Sequence, residues 1–504
     1  MQKFCRALQQ EDWEKWYCYA HKVRMLQLDD DSPFPGSMQL EASVYDEISR
    51  TRPSPRNHLL PNLRYLTWWA TSAERQIRSM AFMHSNINTL SLRFFDDATH
   101  PLSNYVEYIA KRVPHLIKLE VLSDAPMHHI QDGILSLLSR TSQLKALVVP
   151  MYFLTDVAMT ALAILPSLET IEFTRPTEGG TGDRADVANF HPILLDGAFP
   201  SLKKLSFSAH LQHATDFANL PFTPSRLSSI HLQVLAIDNP PVLERYFYTV
   251  VAQYGQLTAL YIDFVLAPGA VITPLPPPLA ARPNFETIKP LLACRNLRTF
   301  ELRWDYQLHI LEKNMEDLAT SWPLLEVLLL NSDAIPEIDP PALSPLALLP
   351  FAEHCLHLRE LSINIDGNKA PPTVPLATLP FQVLSKLALG SSPIDQVDPM
   401  AIFLSCICPM DCQLVAGVRW PDAYGIALDQ ARVTGSARED MSIWWNKWTL
   451  VGKALPLAIK ARQDERDKMT KLIEGEADRW GVQVAELEHE LRELQKKIAT
   501  GKDI

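Results

Sequence analysis

The feature that most restricts this chain is a short phrase that keeps returning. In "LRYLTW", from Leu63, the first, fourth and sixth residues are apolar. The same spacing appears as "VRMLQL" from Val23, "INTLSL" from Ile87, "LIKLEV" from Leu116, "LKALVV" from Leu144, "LETIEF" from Leu168 and "LKKLSF" from Leu202. It continues as "LSSIHL" from Leu227, "LTALYI" from Leu257, "LRTFEL" from Leu297, "LEVLLL" from Leu325, "LRELSI" from Leu358 and "LSKLAL" from Leu384. One copy would describe any buried strand. Thirteen copies, 24 to 40 residues apart, describe a repeat.

The fourth and sixth positions are two apart, so in a strand both point to one face. The first position anchors the turn that leads in. No single unit buries its inner face alone, and stacking the units makes one continuous core. The spacing predicts an α/β leucine-rich-repeat solenoid over residues 23–434, a horseshoe with a parallel concave sheet and convex helices. Helical spacing follows in "TDVAMTALAILP" (155–166), led by a Thr cap, and in residues 104–114, 243–255 and 350–358. The extra length in several units is Pro-rich, at 267–283, 334–350 and 368–380. With 39 prolines against 17 glycines, these read as extended, stiff loops. A regular unit carries Asn eight residues after its first Leu, where it bonds the backbone of the turn. Here Asp31, Asp124, Asp305, Asp333 and Asp366 hold that place in some units, and Thr71, Phe95, Tyr152 and His210 in others. No Asn ladder is expected there, and curvature should be uneven. "CQLVAGVRW" (412–420) offers a fourteenth strand.

The ends differ from the middle. Trp13, Trp16, Tyr17, Ala20 and Val23 share a helical face, which predicts a capping helix within residues 1–22. From 435 to 504 the chain becomes a highly charged helical tail. Along it Ile473, Ala477, Trp480, Val484, Leu487, Leu491, Leu494 and Ile498 alternate steps of four and three, as the seam of a coiled coil does. Gly475 and Gly481 weaken its first half. The seam reads either as a pairing surface for self-association or a partner, or as one face of a single solvated helix.

Composition narrows the function. A net charge of −11 argues against general nucleic-acid binding, which relies on clustered Lys and Arg. The first residues lack the apolar segment of a secretory signal, and no apolar run is long enough to span a membrane. Seven cysteines without a regular framework fit a reducing compartment, cytoplasmic or nuclear. "CICPMDC" brings Cys406, Cys408 and Cys412 together but lacks the C-x-x-C pair and second cluster of a zinc site, so buried thiols are expected. "EGGTGD" (178–183) lacks the Lys and spacing of a phosphate loop. His128 and His129 read as surface histidines on a loop without an acidic partner. Nothing gives a positive reason to assign catalysis, a metal or a cofactor.

The chain resembles the F-box proteins with leucine-rich repeats of mushroom-forming fungi. The matching pieces are "EDWEKWYCYAHKVRMLQL", "LPNLRYLTW", "FMHSNINTLSL", "LALGSSPIDQVDPMAIFLSCICP" and "WNKWTLVGKALPLAIKARQDER", in that order, across about residues 8–465. The resemblance implies a substrate-recognition subunit of an SCF-type ubiquitin ligase. Repeats would hold the protein to be ubiquitinated, while an F-box docks on a Skp-type adaptor and cullin. The ten residues before Glu11 are too few to hold that F-box. The alternatives are a fragment that lost it and an F-box-less scaffold with no ligase role. If the register holds, Tyr65, Trp69, Arg93, Tyr261 and Arg303 lie on the concave face, and they are the residue types that dominate protein interfaces.

Overall fold

The computed structural model describes residues 3–30, 41–53, 58–97, 102–123, 125–174, 180–264, 272, 275–369, 380–418 and 421–499. Asp31, Asp124, part of the first Pro-rich segment, most of the third, and Glu178–Gly179 of the glycine-rich stretch lie outside these residues.

Every phrase becomes a strand, and each strand starts two residues after the first residue of its phrase. The strands are β1 (Met25–Asp29), β2 (Tyr65–Trp69), β3 (Thr89–Arg93), β4 (Lys118–Leu122), β5 (Ala146–Val149), β6 (Thr170–Phe173) and β7 (Lys204–Ala209). They continue with β8 (Ser229–Val234), β9 (Ala259–Asp263), β10 (Thr299–Arg303), β11 (Val327–Leu330), β12 (Glu360–Ile363) and β13 (Lys386–Ala388). The late stretch adds β14 (Gln413–Val415). The sheet runs in chain order from β1 to β14, and each pairing is parallel. The chain is a leucine-rich-repeat solenoid.

Register explains the phrase. Its fourth residues stand opposite one another from strand to strand: Leu66 pairs with Leu90, Leu90 with Leu119, Leu119 with Leu147. They form one buried ladder with the first residues, such as Leu63, Leu116 and Leu297, each wholly shielded from water. A strand buried on the core side by one such leucine gains about 2 kcal/mol per side chain from the hydrophobic effect.

A second ladder is made of backbone. The carbonyl of Arg24 accepts the N–H groups of both Arg64 and Tyr65; that of Asn88 accepts both Ile117 and Lys118; that of Thr258 accepts both Arg298 and Thr299. The same double acceptance recurs at each junction from β1–β2 to β12–β13. It satisfies the donors at strand entry that would otherwise be buried unpaired.

Convex helices fall where the spacing placed them: Leu102–Arg112, Asp156–Ala163, Pro240–Gln253 and Leu349–His354. The Thr155 hydroxyl caps its helix by accepting from the Ala158 N–H. The helix Met127–Leu138 differs from expectation, because His128 and His129 lie in its first turn rather than on a loop. Both have acidic partners: His128 Nδ1 is 2.6 Å from Asp186 and His129 Nδ1 is 2.7 Å from Asp96. Asp186 also accepts the Met127 N–H at 2.6 Å, so the insertion after β6 docks on this helix start. Cys406, Cys408 and Cys412 are buried, Cys406 in the helix Val397–Ile407.

Two helices close the N-terminal end. In Gln10–Ala20, Trp13 and Ala20 are buried, while Trp16 stays 42% exposed and donates Nε1–H to the Leu59 carbonyl at 2.9 Å. The second, Ala42–Thr51, falls in the long gap between the first two phrases and adds Val44 and Tyr45 to the core.

The C-terminal end is closed by the first part of a single helix, Gly435–Ala499. Met441, Trp448, Val451, Leu455 and Ile459 form its buried face. Trp448 donates Nε1–H to the Ser392 carbonyl at 2.9 Å and Trp445 to that of Gly390 at 3.0 Å. Gly452 faces Leu414 of β14. At Gly390, φ is +51° and a Cβ would sit 1.9 Å from the Ser332 carbonyl oxygen, so no other residue fits. The first part of this helix therefore serves as a cap.

Trp448→Ala should lower unfolding stability by about 3–5 kcal/mol, since it empties a fully buried aromatic site. Leu457→Ala, on the exposed side of the same helix, should change it little. Urea denaturation followed by circular dichroism compares the two; equal midpoints would refute the capping role.

Candidate protein-binding face

On each strand the first and third residues point away from the core ladder. They form rows across the concave side: Tyr65, Thr89, Lys118 and Ala146 in one, Thr67, Ser91, Glu120 and Val148 in the next. Cross-strand ion pairs lace these rows, with Lys204 3.3 Å from Glu172 and Lys386 3.0 Å from Glu360. Such half-exposed pairs contribute little to stability, about 0–1 kcal/mol. They leave the face with mixed charge.

The five residues singled out from sequence separate into two groups. Tyr65, Trp69 and Arg93 lie on the neighbouring strands β2 and β3. Tyr65 is 41% exposed, and Trp69 is half-buried with its Nε1–H donated to the Ser91 hydroxyl at 2.7 Å. Arg93 ends β3, partly exposed. Tyr261 and Arg303 lie on β9 and β10, seven strand steps from β2, or about 34 Å along the sheet.

In this second group aromatic rings meet edge-on and tilted. His231 sits between Phe173, at 5.1 Å, and Tyr261, at 5.5 Å between ring centroids. Burial, aided by the Arg303 charge, lowers the His231 pKa from 6.5 to about 4, so the imidazole is neutral at physiological pH. Burial raises the Tyr261 hydroxyl; a hydrogen bond to Thr299 opposes this, and the Glu301 and Glu172 carboxylates add to it.

Arg303 faces the same side but is only 8% exposed. Its guanidinium is held by Glu301 and, at 3.3 Å, by Asp263, both also buried. It ties β9 to β10 rather than standing open.

Arg303 belongs to a polar row that the sequence reading missed. Six residues after the phrase's first position stand Ser208, Gln233, Asp263, Arg303, Asn331 and Asn364 in six successive units, all buried. Ser208 donates to the Met151 carbonyl and Gln233 to that of Asp263, each at 2.7 Å. Asn331 accepts from the Trp304 N–H and donates to the Tyr306 carbonyl, both at 2.8 Å. Its φ of +49° suits Asn better than most side chains. Asn364 donates to the Ser391 hydroxyl at 2.7 Å. A side-chain ladder thus exists two positions before the place where Asn was sought. The signal was in the sequence: a polar residue immediately after the phrase in six consecutive units.

Longer-range ties hold the insertions. Arg282 makes a two-pronged contact with Glu337 at 2.7 and 2.6 Å, joining the loop after β9 to the loop after β11. Near the N-terminal cap, Leu8, Trp13, Trp16, Val44, Tyr45 and Phe82 line an apolar cavity of about 400 Å³. Among the described residues, no three His, Cys, Asp or Glu side chains are grouped to hold a metal ion, and no helix is long and apolar enough to cross a membrane.

No family model matches the chain, and no curated protein matches it. Among solved structures it is similar to a chain of the yeast Rad7 and Elc1 complex, with 14% identity and a TM-score of 0.36, over 70% of this chain and 76% of that one. It is similar to a chain of the TLR13–ssRNA13 complex, at 13% and 0.29, over 67% and 47%. It is also similar to the leucine-rich repeat domain of APL1B, at 12% and 0.29, over 83% and 95%. The fold assignment rests on the sheet and its register.

Two outcomes are expected of the β9–β10 group. Arg303→Ala leaves Glu301 and Asp263 buried without their cation, and should cost about 3 kcal/mol in urea denaturation. His231 is harder to protonate folded than unfolded. Above pH 6.5 it contributes no pH dependence; between 6.5 and about 4 the unfolded chain gains a proton that the folded chain refuses, and stability falls. The uncharged variant His231→Gln should lose less stability over that interval. Parallel pH profiles for the two proteins would remove His231 from the account.

Proposed function

We propose that the chain is a protein-recognition module that holds a protein target on its concave face, acting by positioning rather than by chemistry. The observation that carries this reading is the fourteen-strand parallel sheet. Its outer rows mix charges of both signs with exposed aromatic area at Tyr65 and half-buried area at Trp69 and Tyr261. A mixed face of this kind suits a protein better than a polyanion, and a net charge of −11 points the same way.

The resemblance of the quoted segments to fungal F-box proteins with leucine-rich repeats supports a finer reading. The module is the target-binding part of an SCF-type ubiquitin-ligase receptor, working in the cytoplasm or nucleus with a Skp-type adaptor and a cullin. Its plan is an N-terminal cap (1–22), a solenoid (23–434) and a tail (435–504) whose start completes the solenoid. A scaffold without a ligase role is the second reading, favoured by the exposed apolar residues from Ile473 to Ile498, which offer a second surface.

Affinity capture from fungal extract followed by mass spectrometry tests these readings. Recovery of the Skp-type adaptor and cullin supports the ligase receptor; other partners without them support the scaffold. In either case Tyr65→Ala should weaken capture of the concave-face target about tenfold, the cost typical of a contact aromatic. Undiminished capture by Tyr65→Ala and Tyr261→Ala alike would place the target elsewhere.

A further inference from the structure

The helix Gly435–Ala499 leaves the solenoid after Arg462, whose Nε–H donates to the Ser405 hydroxyl at 3.1 Å. From 463 to 498 every residue is exposed, so this part stands clear of the body by about 50 Å at 1.5 Å per residue. Its apolar seam is open to water: Trp480 is 65% exposed and Leu487 64%. We propose that two copies of this chain pair through the seam as an antiparallel coiled coil, with the two-fold axis between Ala485 and Glu486.

Side-chain size selects the direction. In heptad terms Ala477, Val484, Leu491 and Ile498 are a positions, and Ile473, Trp480, Leu487 and Leu494 are d positions. A parallel pair would stack Trp480 on its own copy and, one layer away, Ala477 on Ala477. One layer would be overfilled and the next left hollow, and both errors destabilise. In the antiparallel pair each large residue meets a smaller or complementary one. Trp480 faces Leu491, Ala477 faces Leu494, Val484 faces Leu487, and Ile473 faces Ile498. The eight positions close on themselves with none left over.

Charge selects the same direction. The seam starts acidic, with Glu474, Glu476 and Asp478, and ends basic, with Lys496 and Lys497. In a parallel pair the flanking contacts are Glu476 with Gly481, Gln483 with Glu488 and Glu490 with Gln495, none of them between opposite charges. In the antiparallel pair Glu476 meets Lys497 at both ends, and Gln483 meets Glu490. Within its own helix Lys497 already lies near Glu493; at the helix surface it can serve both.

The test uses the full chain with Cys5→Ser and Cys18→Ser, which removes the two exposed thiols. Sedimentation equilibrium should give twice 56.9 kDa. Ile473→Cys and Ile498→Cys are then made separately, both at exposed positions. A short bis-maleimide should link the mixture of the two, and neither alone. In the antiparallel pair the two copies of residue 473 stand about 37 Å apart, and in a parallel pair they touch. Glu476→Lys should raise the dissociation constant about tenfold, and adding Lys497→Glu should restore it. Linking of Ile473→Cys to itself, or a single-chain mass at every concentration, overturns the proposal. Neither result bears on target binding at the concave face.

Discussion

The solenoid hangs on one repeated contact: the carbonyl at the start of each strand that takes two N–H groups from the next unit. It fixes neighbouring units at their entry edge more tightly than one ladder bond could. With that edge pinned, the apolar residues at the first, fourth and sixth places of the phrase have little choice but to stack. The insertions, the two caps and the uneven helices are arranged around a spine that does not vary.

The opposite edge of the sheet is held by chemistry that does vary. Ser208, Gln233, Asp263, Arg303, Asn331 and Asn364 stand at one register position, yet each makes a different bond. Some reach a carbonyl, Asp263 and Arg303 reach each other's charge, and Asn364 reaches a hydroxyl. Such side chains are costly to bury unless satisfied, which makes this edge sensitive to single changes. Tyr261 and His231 stand beside this row, so the surface that carries the central aromatic patch rests on buried ion pairs and hydrogen bonds.

Much of the fold was legible because the phrase is local. Six residues hold the whole signal, and every strand starts at the same offset within it. The helix at 155–166 was legible from a cap and a period, and the fourteenth strand from the stretch at 412–420. The helix Ala42–Thr51 was not, because a short amphipathic stretch in a long gap resembles any insertion. The pairing of Asp186 with His128 joins residues 58 apart, and that of Arg282 with Glu337 spans 55. No local pattern encodes such partners. Arg303 shows the limit for the candidate site. Alternation along the strand gives the face of a side chain, but not whether two acids from neighbouring positions will enclose it.

The last helix runs without interruption from Gly435 to Ala499, through Pro456, Gly475 and Gly481. Mechanically it is a lever with its short arm clamped under the solenoid. A pull at its free end passes Gly481, Gly475 and Pro456 before it reaches Trp448 and β14. The solenoid would then peel open from its C-terminal unit, one repeat at a time, while the N-terminal units kept their shape.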